Sequence, residues 1–409
     1  MHVVIVGNGI AGVTAARHVR KASPEARITM VSSETRAPFA RTALMYVYMG
    51  SLTLAHTRLY EERFWSDNRI DRLLGTATGL APDRACVQVD GADLGYDRLL
   101  IASGSRPVFP SWPGVDLPGV RGLYHLADLE RLEQATRRAR RAVVVGGGLI
   151  GVELAEMLRT RGIDVTFLVR ETRYLAGQMS EAESARIEAE IRRHGVDLRL
   201  GAEVVRIEGT GRVETVVTTE GERLPADVVG VGTGVRPNVA WLGGTLDVAR
   251  GVRVDRQLAA SAPNVWAAGD CAELREPPPG VRAVEPIWYT ARMQGATAGL
   301  AMAGHPRTYD PGLFFNSAKF FDLEWQVYGA TAGPGDDWEA VDGARALRIR
   351  TADGRVRGVS ALGMRLRQEA CARWITEGWG LERALADLPA ARFDAELTPA
   401  FQSPSSPTA

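Results

Sequence analysis

The apolar positions of this chain gather into short unbroken runs, each stopped by glycine. HVVIVG, residues 2–7, reads as a buried strand, followed by GNGIAG and the helix-like TAARHVRKA. ARITMVSS is a second strand, so the chain opens as a strand–helix–strand unit. The same grammar returns near the middle as RAVVVG, GGLIG, VELAEMLRTRG and IDVTFLVR. One motif used twice predicts two similar α/β domains. LGYDRLLIASGSRPVFPSWPG ends in Pro and Gly and reads as a crossing between them. LPADVVGVGTGVRPN closes the second unit and APNVWAAGDCAEL returns to the first. After about His305 the pattern changes. VYGAT, a hairpin around Asp353-Gly354 and the helix-like RQEACARWITEGWGLERALADL predict a separate α+β domain. The Pro- and Ser-bearing tail from about Thr398 is expected to be disordered.

Both repeats carry a phosphate-binding turn. Gly7-Asn8-Gly9-Ile10-Ala11-Gly12 lies between a strand and a helix. The first glycine permits the tight turn, the second lets a pyrophosphate approach the backbone, and the third lets helix and strand pack closely. The helix start offers free N–H groups and the positive end of a dipole. The strand–glycine–helix–strand order is what makes this more than a Gly-rich turn, and it predicts a dinucleotide site. Glu34 stands about 20 residues beyond Gly12, where such units place an acid on the ribose. Gly146-Gly147-Gly148-Leu149-Ile150-Gly151 is the second copy. Its second strand ends in Val169-Arg170, with Arg173 nearby, and an arginine there can fork onto a 2′-phosphate. That favours NADPH over NADH, while Glu171 keeps NADH open. The expected class is therefore α/β with two Rossmann-like domains plus a C-terminal α+β domain.

The charge balance excludes some partners. Lys plus Arg and Asp plus Glu are both 49. No global field points to nucleic acid or a charged membrane. No apolar run approaches the roughly 20 residues of a bilayer span, and a strand beginning at His2 leaves no room for a signal peptide. Cys86, Cys271 and Cys371 lie far apart with no CxxC or zinc spacing, which fits a reducing compartment. The expectation is a cytoplasmic protein. His56, His125, His194 and His305 show no metal-ligand spacing, so no metal is expected. The basic run Arg137–Arg141 reads as a solvated helix end or as a docking surface for an acidic electron carrier.

The remaining motifs carry a resemblance. Tyr96-Asp97 with Leu99-Leu100-Ile101-Ala102-Ser103-Gly104-Ser105-Arg106-Pro107 resembles the crossing of the FAD-dependent pyridine nucleotide-disulfide reductase superfamily. Gly232-Thr233-Gly234-Val235-Arg236-Pro237-Asn238 and Val254-Asp255 through Ala268-Gly269-Asp270 resemble its two later segments. The resemblance covers about residues 1–310. It implies an FAD domain in two pieces, 1–111 and 237–309, with an NAD(P) domain, 112–236, inserted. The C-terminal domain is then 310–397 and the tail 398–409. It also implies that Asp270 bonds the FAD ribityl chain. Ala102, Ser103, Gly104, Gly234 and Gly269 become cofactor contacts beside Gly7, Gly9, Ala11, Gly12, Gly146, Gly148, Ile150 and Gly151.

Two branches of the superfamily meet in one stretch. ETRAPFAR, 34–41, is similar to a motif of ferredoxin-type reductases whose arginine touches FAD, which implicates Arg41. FFNSAKFFDLEWQVYG matches imperfectly their signature near the start of the C-terminal domain. RTALMYVYMG is similar to the segment of coenzyme A disulfide reductases and NADH oxidases that holds a redox cysteine, and Thr42 stands in its place. A threonine hydroxyl forms neither thiolate nor sulfenic acid. The flavin-side lysine of ferredoxin-type reductases aligns with Tyr46. Glu153 aligns with the glutamate near the nicotinamide, which makes Glu153, Tyr46 and Thr42 the candidate catalytic positions. Trp288 falls where the family starts a helix against the flavin, though it reads equally as packing. Trp374 and Trp379 read first as core.

What remains is flavin chemistry without a thiol: hydride from NAD(P)H, then electrons to an acceptor. The leading expectation is an NAD(P)H:acceptor reductase serving a ferredoxin- or rubredoxin-like carrier. An NAD(P)H oxidase or small-molecule reductase is the alternative. A slow redox-sensing or assembly flavoprotein is the third reading, kept open by Thr42, Tyr46 and Asn316-Ser317-Ala318. A homodimer is compatible with all three.

Overall fold

The computed structural model describes residues Met1–Asp394, so the expected tail 398–409 lies outside the described residues. The chain divides into two compact units. The first comprises Met1–Val108, Tyr124–Arg131 and Gly234–Pro311; the second comprises Phe109–Leu123, Leu132–Thr233 and the described residues from Gly312. The crossings therefore fall at 108/109 and 233/234, beside the sequence-based bounds of 111/112 and 236/237. A short segment, Tyr124–Arg131, belongs to the first unit, and the C-terminal region groups with the second.

In the first unit a five-stranded sheet runs in the order Val265–Ala267, Arg98–Ile101, His2–Val6, Arg27–Ser32, Ile70–Leu74. All four pairings are parallel. The unbroken apolar runs of HVVIV and RLLI are what a sheet buried on both faces requires. From His2–Val6 the chain winds outward through two strands, then returns to the other side as Arg98–Ile101. The crevice at that reversal, beyond the strand C-termini, is where open α/β sheets bind ligands. Helix Ile10–Ala22 packs against helix Trp288–Met302. Only glycine fits that crossing: a Cβ on Gly295 would stand 2.3 Å from the Ala11 carbonyl oxygen, and one on Gly299 2.7 Å from that of Ala15.

The second unit repeats the design in the order Asp197–Leu200, Asp164–Val169, Arg141–Val145, Val228–Val231, Val120–Arg121, again all parallel. Its reversal lies between Arg141–Val145 and Val228–Val231. The C-terminal region adds a five-stranded antiparallel sheet, ordered Phe315–Phe320, Leu323–Gly329, Arg355–Leu362, Arg345–Ala352, Asp336–Asp342. The expected hairpin turns at Asp353 and Gly354, both with positive φ (51° and 70°), as a two-residue type I′ turn demands. Leu347, Ile349, Val359 and Ala361 join Trp374 and Trp379 in one apolar core with helices Gln368–Thr376 and Leu381–Ala391. Both tryptophans are buried there, and the indole N–H of Trp374 donates to Asp387 at 2.8 Å.

Alternation along the strands sends Arg348 and Ser360 to the opposite face from this core. There Arg348, 3% exposed, meets Glu183, 0% exposed, on helix Glu181–Arg193. The guanidinium approaches the Glu183 carboxylate at 3.0 Å and donates to the carbonyls of Thr331 (2.8 Å) and Gln178 (3.0 Å). The carboxylate also accepts from the Ser180 N–H at 2.8 Å, in a capping box, and from the Ser360 hydroxyl. A fully buried pair with every donor and acceptor met ties the C-terminal sheet to the inserted domain. Arg348→Met strands the Glu183 charge in a dry site, so urea unfolding should show a loss of about 3–5 kcal/mol. Replacing both by apolar residues, Arg348→Met with Glu183→Leu, should recover most of that loss.

Candidate functional site

In the first unit the loop after His2–Val6 is shaped by two contacts and one vacancy. Gly7 has φ +114°, and a Cβ there would stand 2.0 Å from the Ala102 carbonyl oxygen, on the neighbouring strand's exit. A Cβ on Gly12 would stand 2.0 Å from the Gly7 carbonyl oxygen. Both glycines are thus demanded by protein packing. Gly9 differs: its φ is −69°, which any residue adopts, and nothing lies within 4 Å of its Cβ position. No part of the protein requires glycine at 9. Open space at the helix start, with unpaired N–H groups facing it, fits a dinucleotide pyrophosphate. Ala11 is buried and serves the helix crossing.

The other predicted residues of this unit form one connected cluster. The Arg41 guanidinium forks onto Glu34, at 2.5 and 3.3 Å, and donates to the Tyr124 carbonyl at 2.5 Å. It lies 4.6 Å from the Tyr124 ring centre. Glu34 also accepts from the Leu126 N–H at 2.9 Å, and His125 stands 3.5 Å away. Burial alone would raise the Glu34 carboxyl, but His125, Arg41 and the Leu126 amide together bring it down to about 2. The Tyr124 hydroxyl accepts from the Ser105 N–H at 2.9 Å and donates to Asp270 at 3.1 Å. Burial pushes the Asp270 carboxyl up, against the pull of Ser105, Tyr124 and Arg41. Ser103 donates to the Asn238 carbonyl at 2.7 Å, and the Asn238 N–H donates to Gly104 at 2.9 Å, closing the two crossing strands on each other. Gly234 takes φ +107° just before the returning strand Val235–Pro237, with its carbonyl accepting from the Val108 N–H.

Gly269, with φ +81°, donates its N–H to the Gln294 side chain at 2.8 Å. Asp270 is therefore tied to the helix that Trp288 begins. Ile287 gives that helix no side-chain cap, and its start carries the positive end of the helix dipole. Trp288 is half-buried, edge-to-face with Tyr289 at 5.2 Å. The stretch 41–48 is a 3₁₀ turn at Arg41–Ala43 followed by the short helix Leu44–Tyr48. Gly50, at φ +82°, ends it. Thr42 is exposed on the turn, and Tyr46 is half-buried while Leu44, Met45 and Tyr48 enter the interior.

In the second unit Gly146 and Gly151 meet the same demands. Their Cβ positions fall 2.4 Å from the Gly232 oxygen and 1.9 Å from the Gly146 oxygen. Gly148, with φ −86°, again has nothing within 4 Å. Ile150 is half-buried at the first turn, and Glu153 follows one turn in. Burial, then the charge of Glu156, pushes the Glu153 carboxyl up to about 7. The fully buried Tyr174 reaches the Gly148 carbonyl at 3.5 Å. Arg170 is 71% exposed and pairs with Glu171 at 3.0 Å. The other oxygen of Glu171 stands 3.6 Å from the Cβ position of Gly147, against the loop itself.

All three cysteines are free and buried. Cys271 donates to the carbonyls of Ile101 (3.3 Å) and Ala268 (3.4 Å), and burial pushes its thiol up; Cys371 is pushed up to about 12. Sequence reasoning missed Tyr124, whose partners Arg41 and Asp270 lie 83 and 146 residues away. Only those contacts distinguish it within YHLADLERL. It also kept His194 apart from any cluster. The structure brings His194 within 3.0 Å of Glu190 and 3.1 Å of Asp322, a spacing that could hold a metal. Arg193 already reaches both carboxylates, at 2.7 and 2.6 Å, so the cation there is a guanidinium.

Comparison with known proteins shows the family. Residues 1–295 match the family described as pyridine nucleotide-disulphide oxidoreductase, and the chain belongs to that family. It is an FAD-dependent NAD(P)H oxidoreductase. It is similar to the ferredoxin–NAD(+) reductase component of the biphenyl dioxygenase system of Paraburkholderia xenovorans, 33% identical, covering 88% of this chain and 89% of that one. It is also similar to the epsilon subunit of the NADH-dependent phenylglyoxylate dehydrogenase of Aromatoleum evansii, 31% identical, covering 81% and 80%. Among solved structures it resembles putidaredoxin reductase in its covalent complex with putidaredoxin, at TM-score 0.83 and 26% identity, covering 95% and 98%. Among the described residues no helix is long and apolar enough to cross a membrane.

The open glycines give a test that separates fold from ligand. Gly9→Ala and Gly148→Ala should leave unfolding stability within about 1 kcal/mol of wild type. Gly9→Ala should weaken FAD binding, and Gly148→Ala NADH binding, by roughly ten- to hundredfold. Titration calorimetry against each ligand checks both.

Proposed function

We propose that this protein takes hydride from NADH onto FAD and delivers the electrons to a small ferredoxin-type carrier, with no cysteine intermediate. The observation that carries this reading is the pair of open cradles at Gly9 and Gly148, in a chain whose three cysteines are all buried. FAD, when bound, supplies hydride acceptance at N5 and release of the electrons singly or in pairs. The residues of the chain bind and orient. Gly7, Gly9, Ala11 and Gly12 form the FAD pyrophosphate turn. Glu34 accepts from the adenosine ribose and Arg41 neutralises phosphate beside it. Asp270 bonds the ribityl chain, and the uncapped start of the Trp288 helix stabilises negative charge on the flavin pyrimidine edge. Ala102, Ser103, Gly104, Gly234 and Gly269 shape the backbone around the cofactor. Thr42 and Tyr46 stand where relatives keep a cysteine and a lysine, and here they shield rather than react.

On the second loop, Gly146, Gly148, Ile150 and Gly151 receive the nicotinamide dinucleotide, and Glu153 holds its carboxamide. Glu171 decides between NADH and NADPH. Its carboxylate lies against the loop, where it would accept from a ribose 2′-hydroxyl and repel a 2′-phosphate. Arg170, on which a preference for NADPH would rest, extends into solvent. The names of the two enzyme relatives above, which specify NAD(+) and NADH, support the same choice. A cytoplasmic home, with its NADH pool, suits the free cysteines.

Anaerobic stopped-flow reduction of the FAD protein tests this. NADH should bleach the flavin well ahead of NADPH, and Glu171→Ala should cut that preference roughly ten- to hundredfold. Reoxidation should be fast with an added ferredoxin and slow with oxygen. A protein that either nucleotide reduces only over minutes, or that oxygen alone turns over rapidly, overturns the reading.

A further inference from the structure

Glu153 sits on helix Leu149–Thr160, one turn beyond the loop, and among the described residues its carboxyl takes no hydrogen bond. Two titratable groups lie near it, and a third reaches one of them. Tyr174 lies buried beside it and feels its charge. Glu156 follows at the i+3 position of the same helix, on the same face. Lys319, from strand Phe315–Phe320 of the C-terminal sheet, reaches Glu156 at 2.6 Å. The strands beneath the helix carry charge only at Arg141 and Asp164, their first residues, at the end remote from the loop. Asp164 is moreover paired with Arg159.

The Lys319–Glu156 pair is no loose surface contact. The Glu156 side chain is 12% exposed and that of Lys319 31%. The neighbouring Phe320 is fully buried, with its ring centre 6.0 Å from that of Tyr174. Glu153 is half-buried, and a half-buried acid without a partner is sensitive to charge nearby. Bare, Glu156 would disfavour a second negative charge one turn away; paired, it disfavours it less.

We propose that Lys319 is a positioning residue for the nicotinamide: through its ion pair with Glu156 it controls the charge of Glu153, and so how the carboxamide is held. A neutral Glu153 donates a hydrogen bond to the carboxamide oxygen, whereas an ionised one accepts from the carboxamide N–H group. This rests on the reading that Glu153 meets the nicotinamide.

The test is the infrared band of the protonated carboxyl, followed against pH in the FAD-loaded protein. Near pH 6 ordinary carboxylates are ionised, so a buried acid stands out, and the difference against Glu153→Gln assigns it. The wild-type band should disappear around pH 7. Glu156→Gln should lower that midpoint by roughly one unit, and Lys319→Met should raise it by a similar amount. The double variant should return toward the wild-type midpoint, because both opposed charges are then gone. The pH profile of NADH binding should bend at the same midpoint in each variant. A role in packing alone would not move either midpoint. If Glu153→Gln removes the band but Lys319→Met and Glu156→Gln leave the midpoint in place, the proposal is overturned and the Glu153 assignment stands. If the band survives Glu153→Gln, the Glu153 reading falls, and the proposal with it.

Discussion

The structure depends on how closely two strand exits approach each other at each sheet reversal. At Gly7 and Ala102, and again at Gly146 and Gly232, the backbones come so near that a single Cβ would fall 2.0–2.4 Å from a carbonyl oxygen. That approach fixes where the following helix begins. It therefore fixes the direction of the helix N–H groups and the open space at Gly9 and Gly148. The same need for bare backbone recurs at Gly295 and Gly299, which let helix Trp288–Met302 lie on the first glycine helix and bring Gln294 to Gly269. Asp270 is placed by this chain of contacts rather than by any local preference.

Around these cradles the chemistry is set by burial and pairing. Glu34 stays ionised because Arg41, His125 and a backbone amide outweigh its burial. Glu153, with burial unopposed by any hydrogen bond, becomes an acid that titrates in the neutral range. Two carboxylates of one type thus take opposite charge behaviour. Cys271 and Cys371, by contrast, lie where burial suppresses the thiolate, and Cys86 is buried too. A family defined by pyridine nucleotide and disulphide chemistry is represented here by a chain that keeps the nucleotide machinery and buries its sulfur.

The parts legible in the sequence are those set by local rules. A strand, a glycine turn and a helix in order specify the two loops, and Asp353-Gly354 specifies its hairpin, because each is decided within a dozen residues. Arg41, Asp270 and Glu153 emerged from motif resemblance. What stayed hidden was decided at a distance. Tyr124 meets Arg41 across 83 residues and Asp270 across 146, and Lys319 meets Glu156 across 163. The buried Glu183–Arg348 pair spans 165, and it explains why the C-terminal region groups with the inserted domain. Glu171 was visible beside Arg170, yet only its position against Gly147 distinguishes the two. Arg41 is drawn back toward Glu34, so the short helix starts only at Leu44, and Gly50 ends it.

The central claim is that flavin alone carries the electrons. Anaerobic titration of the FAD-loaded protein with dithionite, followed by absorbance, measures it most directly. Uptake of one electron pair per FAD, unchanged after thiol alkylation under native conditions, is the result this account predicts. Uptake of a second electron pair per FAD, abolished by that alkylation, would show a working thiol centre and contradict it.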